Sequence, residues 1–210
     1  MASVEPPTIY VIDDDADVRA AIEDLLKAAG LRSQTFGTAE DFLAAKRSDG
    51  PNCLVLDVSL PGMNGLDFQE QLAKAGRHIP VIFITAHGDI PMTVRAMRSG
   101  ALEFLTKPFD DDQLLQAIQQ ALARDHVIRQ QEAEVTALQK RFDRLTPRER
   151  QVMSLVASGM LNKQIASDLN VSEITIKVHR ARVMQKMQAA SLADLVRMTE
   201  RLQRFTAEVA

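Results

Sequence analysis

Over the first 124 residues, short apolar runs alternate with amphipathic stretches. Residues 9–12 (IYVI), 33–36 (SQTF), 53–56 (CLVL), 81–84 (VIFI) and 102–105 (LEFL) read as strands. Between them the spacing changes to a helical one, as in Val18, Ile22, Leu25, Leu26 and Ala29, a run ended by Gly30. Another such stretch begins at Leu66 and stops near Gly76. The first, third and fourth strands are apolar almost throughout, which suits strands covered on both faces. Five strands alternating with helices predict a parallel, doubly wound α/β sheet with right-handed crossovers. Such sheets bind ligands beyond the carboxyl ends of their strands.

From Leu114 a different period takes over. Leu114, Ala117, Ala121, Arg124, Ile128, Gln131, Val135, Leu138, Phe142 and Leu145 alternate spacings of three and four, and no Gly or Pro interrupts residues 109–146. This predicts a long linker helix with a coiled-coil seam able to pair in parallel across a dimer, weakened by Arg124 and Gln131. A solvated tether, or a helix folded back on its own sheet domain, remains the alternative.

The last third is all helical in pattern. Thr146, Pro147 and Glu149 form a helix start with an N-cap, a proline at the first position and a capping box, and that helix ends at Gly159. A second helix lies around residues 162–169, the turn Asn170-Val171-Ser172 follows, and Ser172 caps a third helix reaching about Met187. Ser191 and Asp194 start a fourth. Four short helices, two of them joined by a tight turn, outline a helix-turn-helix module for double-stranded DNA. On the third helix Ile176, His179, Val183 and Met187 share the inward side, with His179 read as a packed core histidine. Ile174, Lys177, Val178, Ala181 and Gln185 lie opposite, flanked by Arg182 and Met184. Small apolar groups on an outer face suit contact with thymine methyls, and Lys177 can reach a base edge or phosphate. Lys163, Thr175, Arg180 and Arg182 are the candidate phosphate contacts.

Charge supports this division. Residues 1–124 carry a net −7, residues 125–144 are neutral, and residues 145–210 carry +4 within a total of −3. An acidic front and a basic back suggest two tasks, the second on a polyanion. With no Trp, one Tyr and 4% aromatic residues, an aliphatic core is expected. The single cysteine, Cys53, reads as a buried filler with no internal disulfide, which fits a reducing cytoplasm. The amino terminus lacks a signal-peptide pattern and no window has the length of a membrane span, so no membrane association is expected.

The strand ends bring chemistry to one edge. Strand one ends in Asp13-Asp14-Asp15, strand three in Asp57, strand four in Thr85 and strand five in Lys107-Pro108. Clustered carboxylates repel one another unless a cation sits among them, and hard oxygen donors suit Mg²⁺ (or Mn²⁺). Lys107 adds a second positive charge, so the site is suited to receive an anion at a carboxylate nucleophile. Asp15 and Asp17 have a simpler explanation as caps of the following helix.

The segments VIDDD, LVLDVSLPGMNG, FITAHGD and EFLTKPF resemble the receiver domain of two-component response regulators, over residues 7–124. The likeness is to the FixJ-like branch, and ITAHGDIPMTVRAM resembles its styrene-catabolism regulators. The resemblance implies a flavodoxin-like sheet of order 2-1-3-4-5 and a phosphoacceptor at Asp57, served by a sensor histidine kinase. It implies an acidic pair at Asp13 and Asp14, with metal held by Asp14, Asp57 and the backbone carbonyl of Ser59. Lys107 would contact the phosphoryl oxygens, with a cis bond to Pro108, while Thr85 and Phe104 would act as switch hydroxyl and switch aromatic. Slow autodephosphorylation would accompany this, but no metabolic turnover.

The stretch LTPRERQVMSLVASGMLNKQIASDLNVSEITIKVHRARVMQKM resembles LuxR/NarL-type helix-turn-helix domains across residues 145–205. That resemblance puts Ile174 to Gln185 in the major groove and uses the final helix in dimerisation; Ala181 departs from members with a basic residue there. The domain expectation is a receiver at 1–124, a helical linker at 125–144 and an all-α four-helix DNA-binding domain at 145–210. The functional expectation is a cytoplasmic transcription regulator whose phosphorylation drives homodimerisation and binding of promoter DNA, with RNA polymerase as a further partner. Two rivals are a Mg²⁺-dependent phosphohydrolase built on Asp13-Asp14-Asp15 and a receiver that serves only as a constitutive dimerisation or ligand domain. The first predicts phosphomonoester turnover lost in Asp13→Asn. The second predicts DNA affinity indifferent to Asp57→Asn.

Overall fold

A computed structural model describes residues 5–209, with side chains described to residue 203. The chain divides into two compact units, Met1–Arg129 and Gln130–Ala210. In the first, β1 (Thr8–Ile12), β2 (Arg32–Phe36), β3 (Asn52–Asp57), β4 (Val81–Thr85) and β5 (Glu103–Thr106) form one parallel sheet in the order β2-β1-β3-β4-β5. The connections are α1 (Ala16–Ala28), α2 (Ala39–Ala44), α3 (Gly65–Lys74) and α4 (Ile90–Arg98), with α5 (Asp111–Asp143) following β5. Every residue of β1, β3 and β4 is buried, whereas the edge strands β2 and β5 contain exposed positions. This is the pattern expected of central strands covered by helices on both faces. Asp15 caps α1 by accepting from the amides of Asp17 and Val18, and Gly30 follows it at φ +72°, where a side chain would be strained.

The two faces of the sheet differ in content. One is aliphatic as expected, with Ile9, Val11, Cys53, Val55, Ile82 and Ile84 against Ile22 and Leu26 of α1 and Leu114, Ala117, Ile118 and Ala121 of α5. The other corrects the expectation. Tyr10, Phe42, Phe68 and Phe83 are fully buried there, and Phe42 meets Tyr10 and Phe68 edge-on at centroid distances of 5.4 and 6.0 Å. The aromatic residues are few but concentrated, and each such pair adds about 0.5–1.5 kcal/mol beyond its burial. Cys53 is fully buried, and burial followed by the charge of Asp125 pushes its thiol up to about 12.

Helix α5 is continuous over 33 residues. Its apolar seam is largely occupied within each unit. Leu114, Ala117 and Ala121 join the sheet core, while Leu138, Phe142 and Leu145 pack into the core of the second unit. Of the seam's apolar positions, Ile128 and Val135 remain half-buried between those ends, beside an exposed Val127. A long coiled coil from Leu114 onward is therefore not what these residues build. Near the end of the first unit, Asp125 is 1% exposed and accepts from the Asn52 amide at 2.8 Å and from the Arg129 guanidinium, which also donates to the Asp49 carbonyl.

The second unit contains the end of α5 with α6 (Pro147–Ala157), α7 (Asn162–Asp168), α8 (Glu173–Met187) and α9 (Leu192–Val209) around a core of Val152, Met153, Ile165, Ile176, Val183, Met187 and Leu195. The capping box at Thr146 and Glu149 is present. Glu149 does more than cap: it is 2% exposed and pairs with Lys186 of α8 at 2.6 Å. Burial alone would raise its pKa, but the bonds from Lys186 and the Thr146 amide outweigh that and hold it below the ordinary value.

A carboxylate held low in the folded state stabilises the fold at pH above its ordinary value of 4.5 and loses that contribution as pH falls through the lower folded value. Glu149→Gln is therefore expected to destabilise the second unit by about 1–3 kcal/mol at neutral pH, as for a lost charged hydrogen bond, and to flatten the acid limb of its stability curve. Unfolding followed at the unit's own amide resonances between pH 3 and 7 measures both effects; an unchanged acid limb would refute the pairing.

Candidate active site and nucleic-acid interface

Sheet register brings the predicted chemistry together. Ile12 pairs with Leu56, Asp57 with Ile84 and Thr85 with Thr106, so neighbouring strands end at nearly the same level. Asp13 follows β1, Asp57 closes β3, Thr85 closes β4 and Lys107 follows β5. Asp13 and Thr85 are fully buried, and Asp57 is 4% exposed. The Lys107 ammonium lies between the two carboxylates, donating to Asp13 Oδ2 at 2.6 Å and to Asp57 Oδ1 at 3.0 Å. The remaining oxygens are also used: Asp13 Oδ1 accepts from the Asp15 amide and Asp57 Oδ2 from the Ser59 amide.

The electrostatics follow from that arrangement. Burial raises the Asp13 pKa, working against the hydrogen bonds from Lys107 and the Asp15 amide and assisted by the nearby charge of Asp57. Burial opposes the charge on Lys107, but its bonds to Asp13 and Asp57 more than compensate and raise its pKa above the ordinary lysine value. The site thus sets a half-buried ammonium between two buried carboxylates.

Packing fixes the walls. Gly65, the first residue of α3, lies so close to β3 that a Cβ there would come within 2.3 Å of the Asp57 carbonyl. A side chain at this position would displace the start of α3 from β3. Across the site, the Thr85 hydroxyl exchanges 3.3 Å hydrogen bonds with the backbone of His87. Gly88 then passes over β5, where an added Cβ would stand 2.9 Å from Thr106 Cγ2 and 3.0 Å from Phe104 Cε1. Phe104 is half-buried and tilts against Phe83 at 6.2 Å. The Lys107–Pro108 bond is cis. The sequence reading identified Thr85 and Phe104 but missed Gly65 and Gly88, whose importance is a distance to other strands.

Among the described residues no three acidic, His or Cys side chains converge as a preformed metal group. Asp14 is exposed with no hydrogen bond or ion pair among the described residues, and the Ser59 carbonyl accepts none. The donors nevertheless suit a hard divalent cation. Asp14, Asp57 and the Ser59 carbonyl offer oxygen only, and Mg²⁺ ordinarily keeps several waters beside one or two carboxylates.

In the second unit, α7 and α8 are joined through Leu169 to Ser172, with Asn170 at φ 54° and Ser172 capping α8 through the Thr175 amide. Arg148 donates to the Leu169 carbonyl at 2.7 Å and ties α6 to this turn. Ile176, Val183 and Met187 are buried and His179 is half-buried, so the inward side of α8 is as expected. On the outer side Ile174 is 74% and Val178 46% exposed, and Lys177, Ala181 and Arg182 are exposed with them, as is Lys163 on α7. Three of the candidate contacts already have partners, Lys177 through a 3.8 Å ion pair with Glu173. Thr175 shares a hydrogen bond with Ser172 at the cap, and half-buried Arg180 donates to Asn162 at 3.1 Å, linking α8 to α7. Ser172 is the cap that the sequence predicts, whereas Asn162, 18 residues before Arg180, has no signature in helix periodicity.

Known proteins share both halves. The family described as "Response regulator receiver domain" matches residues 9–119, and "Bacterial regulatory proteins, luxR family" matches residues 143–199. Nodulation protein W of Bradyrhizobium diazoefficiens is 50% identical over 92% of this chain and 86% of its own length. Response regulator protein TodT of Pseudomonas putida is 46% identical over 92% and 86%. Among solved structures, response regulator StyR covers 94% of this chain and 100% of its own, with 48% identity and a TM-score of 0.85. Full-length FixJ from B. japonicum covers 94% and 97%, with 42% identity and a TM-score of 0.55. The relatives are transcriptional response regulators and not metabolic enzymes, which removes the phosphohydrolase alternative. With paired carboxylates and a lysine at the sheet edge in one unit and a helix-turn-helix arrangement in the other, this chain belongs to the two-component response regulators, as a transcription regulator with a receiver domain and a LuxR-type DNA-binding domain.

Proposed function

We propose that Asp57 accepts a phosphoryl group from a sensor histidine kinase and that this modification controls dimerisation and sequence-specific binding to promoter DNA. The observation that carries the reading is the Lys107 ammonium held between Asp13 and Asp57 at the carboxyl edge of the sheet. Phosphoryl transfer asks a protein chiefly for position and neutralisation. Asp57 is the nucleophile, fixed by the Ser59 amide. Lys107 is drawn from the carboxylates toward the incoming oxygens. Mg²⁺ (or Mn²⁺), held by Asp14, Asp57 and the Ser59 carbonyl with Asp13 beside them, would supply further positive charge. The same residues would support slow autodephosphorylation.

The acyl phosphate adds negative charge and acceptor oxygens beside Thr85. Its hydroxyl exchanges the His87 backbone for a phosphoryl oxygen, and Phe104 packs into the space released. That changes the face made by α4, β5 and α5, where Ile90 (81% exposed), Val94 and Met97 already leave apolar surface in solvent. Such a patch suits pairing of two receivers. The linker's contribution to pairing is short, through Val127, Ile128 and Val135. We assign the receiver to residues 1–129, since Asp125 and Arg129 bond to Asn52 and Asp49 beyond the expected boundary at 124, with the linker at 130–144 and the DNA-binding domain at 145–210. Dimerisation raises the effective concentration of the second module at paired half-sites. Ile174, Lys177, Val178 and Ala181 face the bases, while Lys163 and Arg182 hold phosphates. Thr175 and Arg180 act mainly by holding the helix pair in shape. Recruitment of RNA polymerase would complete regulation in the cytoplasm; no helix among the described residues is long and apolar enough to cross a membrane.

With Mg²⁺ and acetyl phosphate, the chain is expected to gain one phosphoryl mass and to bind its promoter about 5- to 150-fold more tightly, the usual span of coupling between sites. Asp57→Asn should show neither effect. An unmodified wild type would overturn the proposal, and equal DNA affinity in both proteins would favour a receiver that acts constitutively. Thr85→Ala should still be labelled at Asp57 but lose most of the affinity gain; retention of the full gain would exclude Thr85 as the relay. Lys163→Ala and Arg182→Ala should each weaken DNA binding uniformly across sequences and lower the salt slope by about one. A loss confined to particular base pairs would reassign them to base reading.

A further inference from the structure

At the amino-terminal end of the sheet, opposite the acceptor site, a cleft of about 230 Å³ opens beneath β4. Leu72 of α3, Ile79, Val81 and Leu102 give it an apolar floor, and Arg124 and Ile128 of α5 close one side. That volume is smaller than the usual pocket for a drug-sized molecule, so it suits a small metabolite. Three features are unexplained by packing. The exposed side chains of Arg77, His78 and Arg124 stand at its rim with no hydrogen-bond or ion-pair partner among the described residues. Arg77 also acts on a second cation: burial holds the Arg47 guanidinium below its ordinary pKa, and the charges of Arg77 and Arg129 push the same way. Finally, Gln69 lines the cleft at 5% exposure, and its Oε1 is buried without a hydrogen-bond partner among the described residues.

A buried acceptor without a donor is uncommon and costs about 1–3 kcal/mol. Unpaired guanidiniums over an apolar floor attract an anion with an apolar body, since carboxylate and guanidinium match in geometry. Local charge here runs against the receiver's net −7, so the basic rim is a feature of this place and not of the domain. We propose that this cleft binds a small carboxylic acid that has an apolar body and a hydroxyl or amine donor. The carboxylate sits on Arg77 and Arg124, the body covers Leu72, Ile79 and Leu102, and the donor satisfies Gln69 Oε1. Bound there, the ligand would join α5 to the loops before β4 and β5, and so bear on the helix that leads out of the receiver.

Calorimetric titration of the full chain with 4-hydroxybenzoate, benzoate and inorganic phosphate tests this. The hydroxy acid is expected to bind several-fold more tightly than benzoate, and phosphate at least 10-fold more weakly than either. The Arg77→Ala/Arg124→Ala protein should lose at least 10-fold in affinity for both acids. Gln69→Met should abolish the preference for the hydroxy acid while retaining benzoate. Labelling of Asp57 by acetyl phosphate checks that each variant remains folded. Absence of binding, binding undiminished without the two arginines, or phosphate binding as well as the acids would overturn the proposal. A preference that survives Gln69→Met would overturn the part assigned to its carboxamide.

Discussion

A single ammonium group between two buried carboxylates holds the receiver's working edge together. Asp13, Asp57 and Lys107 come from three different strands, and none could stay buried and charged alone. Two carboxylates brought this close would drive one another toward protonation, and an isolated lysine would be driven toward neutrality. Lys107 offsets part of the burial cost of Asp13, and the two carboxylates more than offset that of Lys107, only while β1, β3 and β5 keep their register. The sheet's geometry is therefore a condition of the site's electrostatics, and the site in turn favours that geometry. Lys107 is bonded to both carboxylates at once, so the positive charge at this edge is already in place.

The sequence exposed this edge because strands have a plain period and their ends can be counted. Val81 to Ile84 and Cys53 to Leu56 are apolar without a break, so Asp57 and Thr85 stand out where those runs stop. Distances between strands have no such signature. Gly65 and Gly88 look like ordinary loop glycines until the Asp57 carbonyl and the Phe104 ring are seen against them. The aromatic face was missed for a related reason: composition reports how many rings exist, while Tyr10, Phe42 and Phe68 show where they meet. The linker pattern misled in another way. Its period of three and four is real, but a helix shows the same period whether its stripe faces a partner or its own domain. Leu114 and Leu138 are both turned inward.

The DNA-binding unit shows how local and distant signals combine. Thr146 and Glu149 announce a helix start by spacing alone, yet the same glutamate reaches Lys186, 37 residues onward, through a contact no local pattern carries. One carboxylate thus orders the beginning of α6 and secures the far end of α8. Arg180 behaves similarly: basic composition suggested a phosphate contact, and its bond to Asn162 spends it on the angle between α7 and α8. The outward face of α8 is consequently more apolar than a count of basic residues suggests, with Ile174 and Val178 exposed on it.

The carboxylate of Asp125 sets a physical limit on where the receiver stops. It completes the hydrogen bonding of the first amide of β3, the strand whose other end carries Asp57. The matched receiver family region ends at residue 119, before this group is reached. A fragment cut there would leave the Asn52 amide stranded in an apolar interior and the Arg129 clasp on the Asp49 carbonyl missing. The smallest piece able to stand alone is thus longer than its family outline, and the first turns of what looks like connecting helix belong to the sheet they follow.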